Sequence, residues 1–254
     1  MKKFLLGTVG AVALLTGGAQ AADLPVKARP MAPVVAPIST WTGCYIGAHV
    51  GGAWSRLRIT DVGTGGSAFA SAGTAGQEFN VDDSGIFGGG QIGCNYQADL
   101  FVFGIEGDLG GMDLKGDALD PLTASNTRVG IGSGLYGDIT GRLGIAAGPA
   151  LFYAKGGWGF YNGRETFSTT SAAFISHSDV GTFSGGVFGG GIEYKLWSNW
   201  SAKIEYLHFA FNSQTFNVLA TGGTFPFREK LSVDTLKVGL NYQFNWGGPV
   251  VARY

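Results

Sequence analysis

The chain has 254 residues, with 17 Lys plus Arg against 18 Asp plus Glu, only 14% charged residues in all, and 45 glycines. That balance carries no basic excess of the kind nucleic-acid binding needs, and the glycine, far above the usual ~7%, lacks the G-X-Y period of collagen. Beyond the amino-terminal segment no run of about 18 apolar residues exists, so any crossing of a membrane has to use strands.

In chain order, Met1-Lys2-Lys3 is basic, residues 4–18 are apolar and small, and Ala19-Gln20-Ala21 offers an A-x-A cleavage site. Residues 1–21 therefore read as an export signal whose removal makes Ala22 the mature start. Without Lys2 and Lys3 the mature chain holds three more acids than bases. Residues 22–40 carry Pro25, Pro30, Pro33 and Pro37 without periodicity and read as an extended periplasmic lead-in. A barrel is expected over 41–246, with 247–254 as a tail.

Eight strands are expected, at about 42–55, 84–97, 101–112, 130–147, 150–163, 184–197, 200–211 and 233–246. The last is the clearest: Leu236, Val238, Leu240, Tyr242, Phe244 and Trp246 share one face, and Thr235, Lys237, Gly239, Asn241, Gln243 and Asn245 the other. Asp99-Leu100, Gly148-Pro149 and Ser198-Asn199 mark tight turns, whereas 56–83, 113–129, 164–183 and 212–232 read as long polar loops. Pro121, Pro149, Pro226 and Pro249 all fall between the expected strands. The fold class is thus all-β: an eight-stranded antiparallel up-and-down transmembrane barrel with short periplasmic turns and four long extracellular loops. Tyr96, Tyr194 and Tyr242 recur three residues after a glycine on the descending strands and are expected at one height, in an aromatic girdle.

The alternation sends Ile46, Ala48, Val50, Trp54, Ile92, Ile105, Ile139, Trp158, Phe188, Ile204 and their like outward. Inward go His49, Gln91, Asn95, Glu106, Asp108, Asp138, Arg142, Lys155, Glu193, Lys195, Lys203, Glu205 and Lys237. Five acids and five bases inside so narrow a barrel predict a filled lumen crossed by structural salt bridges; a small gated pore lined by the same residues is the alternative. Cys44 and Cys94 fall on the outward parity near adjoining strand ends and predict a cross-strand disulfide, against the alternative of two free thiols. No spacing suggests zinc, and no cofactor is expected.

Two motifs are weak. Gly132-Ser133-Gly134-Leu135-Tyr136-Gly137 matches G-x-G-x-x-G, but a strand follows where nucleotide binding needs a helix. Ser176-His177-Ser178-Asp179 holds the residue types of a hydrolase triad, yet neighbours in sequence rarely form one, and no enzyme activity is expected.

The AADLP after the signal, Trp41-Thr42-Gly43-Cys44-Tyr45-Ile46-Gly47, Gly90-Gln91-Ile92-Gly93-Cys94-Asn95-Tyr96-Gln97, Lys203-Ile204-Glu205-Tyr206 and the final strand resemble the alphaproteobacterial outer-membrane immunogenic proteins. These are porin-like barrels related in fold to the OmpA membrane domain. The resemblance implies an outer-membrane protein that supports envelope integrity and presents immunogenic loops, with a small porin or haem-type binding barrel as the alternative. It implies as partners the outer-membrane lipids and lipopolysaccharide, the barrel assembly machinery, and host or surface contacts through the loops, for a monomer. Lys237, Gly239, Tyr242 and Phe244 also resemble the carboxy-terminal assembly signal of such barrels.

Overall fold

The computed structural model describes residues 40–62, 76, 78–119, 128–168, 177–220 and 223–244. The expected signal, nearly all of the lead-in, and the tail lie outside them. Among the described residues nine strands follow in order: β1 (Gly43–Asp61), β2 (Glu78–Ala98), β3 (Phe101–Leu119), β4 (Arg128–Ala147), β5 (Ala150–Ser168), β6 (His177–Lys195), β7 (Trp200–Phe211), β8 (Gln214–Ala220) and β9 (Gly223–Phe244). From β1 to β7 each strand pairs antiparallel with the next, β8 pairs with β9, and β9 also pairs with both β7 and β1, closing the sheet.

The wall nevertheless counts eight. Ala210 pairs with Ser232 and Gln214 with Glu229, so four steps along one side oppose three along the other. That is the signature of a bulge, and β8 continues β7 beyond it.

Ladder partners followed once round the wall lead from Tyr242 through Ile46, Ile92, Gly107, Ile139, Trp158, Gly186 and Ala210 back to Ser232, ten residues higher on β9. Ten residues at about 3.3 Å each, set against eight strands about 4.8 Å apart, tilt the strands by about 40°. The resulting interior is only wide enough for side chains.

Short turns cluster at one end. Asp99 (φ 51°) and Gly148 (φ 60°) take the left-handed conformation that two-residue hairpins demand. The third turn is longer than expected, since β6 stops at Lys195 and leaves residues 196–199 as the bend.

At the other end the strands outrun the expectation. Residues 56–61, 78–83, 113–119, 128–129, 164–168, 177–183 and much of 214–232 are strand, not loop. Pro226 correspondingly lies inside β9, opposite Asn217 and near that strand's outer end, where a missing donor is tolerated. The physical reason is an inversion of polarity. Up to Trp54 the outward face is apolar; beyond it Arg56 and Arg58 point out while Leu57 and Ile59 point in, each only 2% exposed. The period of two continues where the wall leaves lipid for water, but its greasy face changes sides.

The outward apolar set lies on the outer surface as expected. Ile86, Ile92 and Ile139 are 69%, 64% and 62% exposed in the isolated molecule, more than an aqueous surface of this extent would carry. Tyr96, Tyr194 and Tyr242 point outward near the short-turn end, within about 4 Å of one level once the stagger is allowed for. Glycine serves both faces. On the outside, the Phe160 ring lies across its ladder partner Gly137, where a Cβ would meet Cε1 at 2.7 Å. On the inside, a Cβ at Gly159 would meet Val187 Cγ2 at 2.6 Å, so the glycine makes room for the packing.

Candidate functional site

The lumen holds three layers. At the short-turn end Trp41, Val102, Ala146, Leu151 and Tyr153 pack together. Trp41, which the sequence left at the edge of the lead-in, is 2% exposed; its backbone N–H donates to Gln97 Oε1 at 2.8 Å, and the Lys195 ammonium lies 4.9 Å from its ring centre. Towards the long-loop end lies a larger apolar layer that includes Leu57, Phe87, Phe183, Phe209 and Leu231. Between them sits a belt of charge.

Alternation along β3, β5, β7 and β9 brings Glu106, Asp108, Lys155, Lys203, Glu205 and Lys237 into that belt. Lys155 Nζ lies 2.7 Å from Glu106 Oε1, 3.3 Å from Asp108 Oδ2 and 3.2 Å from Glu205 Oε1. Lys203 Nζ reaches Glu106 at 2.7 Å, while Lys237 Nζ lies 2.8 Å from both Asp108 and Glu205. Three carboxylates converging within 4.8 Å offer a metal-ligand geometry. Lys155, donating to all three, already supplies the cation, so these residues do not fit a metal ion.

Arg142 forms a second centre with Glu193, whose Oε1 also accepts from Ser201 at 2.5 Å and Asn241 at 2.8 Å. Its guanidinium carbon lies 3.6 Å from the Tyr153 ring centre. Sequence reasoning left the tyrosines out of the network: Tyr45 donates to Glu106, and Tyr153 to Glu205 at 2.7 Å. His49 bridges Gln91 (2.5 Å) and the Tyr136 hydroxyl. The signal that would have found them was the same alternation, because all three tyrosines fall on the inward parity.

Two expected members stand apart. Lys195 reaches Gln243 Oε1 at 2.9 Å and the Thr40 carbonyl at the barrel's end. Asp138 is 4% exposed, faces Asp108 across the β3–β4 ladder, and has no hydrogen-bond partner for either carboxylate oxygen among the described residues.

The remaining sequence candidates fall as follows. Cys44 and Cys94 are ladder partners joined in a disulfide on the outer face. Of the assembly-signal residues, Lys237 lies in the belt, Gly239 faces inward against Gln91 and Lys203, and Tyr242 and Phe244 point outward with their ring centres 5.3 Å apart. Gly132 to Gly137 lie within β4. Ser176 is outside the described residues; His177, Ser178 and Asp179 belong to β6, paired with Phe167, Thr166 and Glu165, not to a loop.

A closed eight-stranded wall with a lipid-facing band is what one protein family predicts. The pattern described as "Outer membrane protein beta-barrel domain" matches residues 9–244. The chain belongs to that family. The 31 kDa outer-membrane immunogenic protein of Brucella melitensis is 30% identical over 255 residues, covering 96% of this chain and 100% of the relative. The 25 kDa outer-membrane immunogenic protein of Brucella canis is 27% identical, covering 88% of this chain and 90% of that one. Among solved structures, the outer membrane protein OprG from Pseudomonas aeruginosa aligns with a TM-score of 0.46 and 12% identity, covering 82% of this chain and 100% of that one, a likeness too slight to add to the fold already described. The protein is thus an outer-membrane β-barrel of the immunogenic-protein family, and the short-turn end of the wall is its periplasmic end.

Proposed function

We propose that the protein is a structural component of the outer membrane, a monomeric barrel that braces the envelope and presents its extended outer strands and loops at the cell surface. The observation that carries this reading is the layered lumen. Lys155 is held by three carboxylates at mid-barrel, with an apolar layer on either side. Moving an ion through such a belt means breaking buried pairs without replacement, a step costing several kcal/mol.

Two measurements test it. Purified protein in planar bilayers is expected to stay silent; stepwise conductance would establish the porin alternative, and saturable haem uptake the binding one. Deleting the protein is expected to sensitise cells to detergent, with rescue by a barrel trimmed of its outer connections. Rescue that needs those connections would instead place the function in surface contacts, with host molecules among the candidates.

Tyr242 and Phe244, outward and adjacent at the periplasmic end of the closing strand, suit a role as the signal read by the assembly machinery. Phe244→Ala is expected to slow insertion in cells while leaving spontaneous refolding into vesicles unchanged.

A further inference from the structure

Just beyond Trp54 the outer face of the wall turns basic. On β1 Arg56 and Arg58, and on its neighbour β9 Arg228 and Lys230, are exposed on that face. The register sets Arg58 directly opposite Lys230, Arg56 opposite Ser232, and Thr60 opposite Arg228, so the four cations form one cluster across two strands. Two carboxylates flank it from β2: Asp82 Oδ1 lies 2.9 Å from Arg56 Nε, and Glu78 Oε2 4.0 Å from Arg58 Nε. Arg228 and Lys230 make no ion pair among the described residues. Below the cluster, the Asp234 carboxylate is engaged by the Tyr206 hydroxyl at 2.5 Å and His208 Nδ1 at 2.7 Å. Like charges directly across an antiparallel ladder oppose its formation, so the Arg58–Lys230 pair costs the fold something unless an anion bridges it.

Height selects the anion. Trp54, 51% exposed, is the last lipid-facing residue of β1. Two and four residues further along a strand tilted by about 40° put Arg56 and Arg58 about 5 and 10 Å above it, within the headgroup layer of the outer leaflet. We infer that Arg56, Arg58, Arg228 and Lys230 form a binding site for the anionic headgroup of an outer-leaflet lipid. Guanidinium forks match phosphate or carboxylate oxygens in bidentate geometry, and the apolar wall below receives the acyl chains. The inference rests on the outer-membrane location and is independent of whether the lumen conducts.

The test uses the full-length protein in phosphatidylcholine nanodiscs containing a minor fraction of lipid A, with the lipid retained per barrel counted by native mass spectrometry. Wild type is expected to enrich lipid A. Arg58→Gln/Lys230→Gln is expected to lose that enrichment by roughly tenfold or more, the effect of two cations near a charged surface. Arg164→Gln, an exposed cation on β5, is expected to leave it unchanged. Heat-modifiable migration confirms folding; if the double variant does not fold, Arg228→Gln/Lys230→Gln is read in its place. No preference for lipid A, or equal enrichment in wild type and variant, overturns the site. So does patch-dependent binding of inorganic phosphate or a soluble sulfated glycan in pure phosphatidylcholine discs without lipid enrichment.

Discussion

The Lys155 ammonium lies 2.7 Å from the Glu106 carboxylate, with both side chains wholly shielded from solvent. Each has other partners, Asp108 and Glu205 for Lys155 and Lys203 for Glu106, but removing either leaves the buried network one charge out of balance in a medium that solvates charge poorly. Glu106→Gln and Lys155→Met are each expected to destabilise the barrel by about 3–5 kcal/mol, and the double variant by clearly less than the sum. Urea unfolding in lipid vesicles, followed by heat-modifiable migration, measures all three; strict additivity would show that the pair is not coupled.

Asp138 presents the opposite case. Its carboxylate is buried opposite Asp108 without a hydrogen-bond partner among the described residues, so its charge works against the fold. Asp138→Asn keeps the shape and deletes the charge. The unfolding midpoint is expected to rise, by about 1–3 kcal/mol in stability. An unchanged or lowered midpoint would mean that the carboxylate has a role the described contacts do not reveal.

Orientation in the membrane is checked by placing one charge at two depths. Ile139, 62% exposed and near the middle of the apolar band on β4, is expected to lose about 2–4 kcal/mol on substitution by Arg. Ser133, exposed on the same strand six residues nearer the outer end, is expected to lose no more than about 1 kcal/mol with the same change. Equal costs in refolding titrations would move the bilayer relative to the wall.

The disulfide joins ladder partners on β1 and β2 with a sequence separation of 50. A closed loop of that length limits the unfolded chain by up to about 4 kcal/mol. Cys44→Ser/Cys94→Ser is expected to insert and migrate as wild type but unfold at lower urea, with reductant reproducing the effect. Thiol labelling of unreduced, denatured protein would reject the bond.

Much of the wall was legible because a strand states its two faces locally. Ile92 and Gln91 differ by one position, and each fell on the side that its chemistry suggested. The rule that greasy means outward, however, holds only inside lipid. Leu57 and Ile59 reverse it, which is why the first expected strand ended at residue 55 while β1 runs on to Asp61. Within 212–232 the same reversal, together with the bulge after Ala210, hid β8 and the outer part of β9.

The site was legible as a list and not as a set of partners. Lys195 and Lys155 share parity and residue type, yet Lys155 meets three carboxylates and Lys195 lies at the barrel's end beside Trp41. Alternation along one strand determined the fold class, the inward charges and the two cysteines, because side-chain direction in a strand depends only on the period of two. The number of residues by which the wall is staggered depends on how all eight strands pair at once. Only that closure decided which charges share a level, left Asp138 facing Asp108, brought Arg58 beside Lys230, and filled the lumen around Lys155.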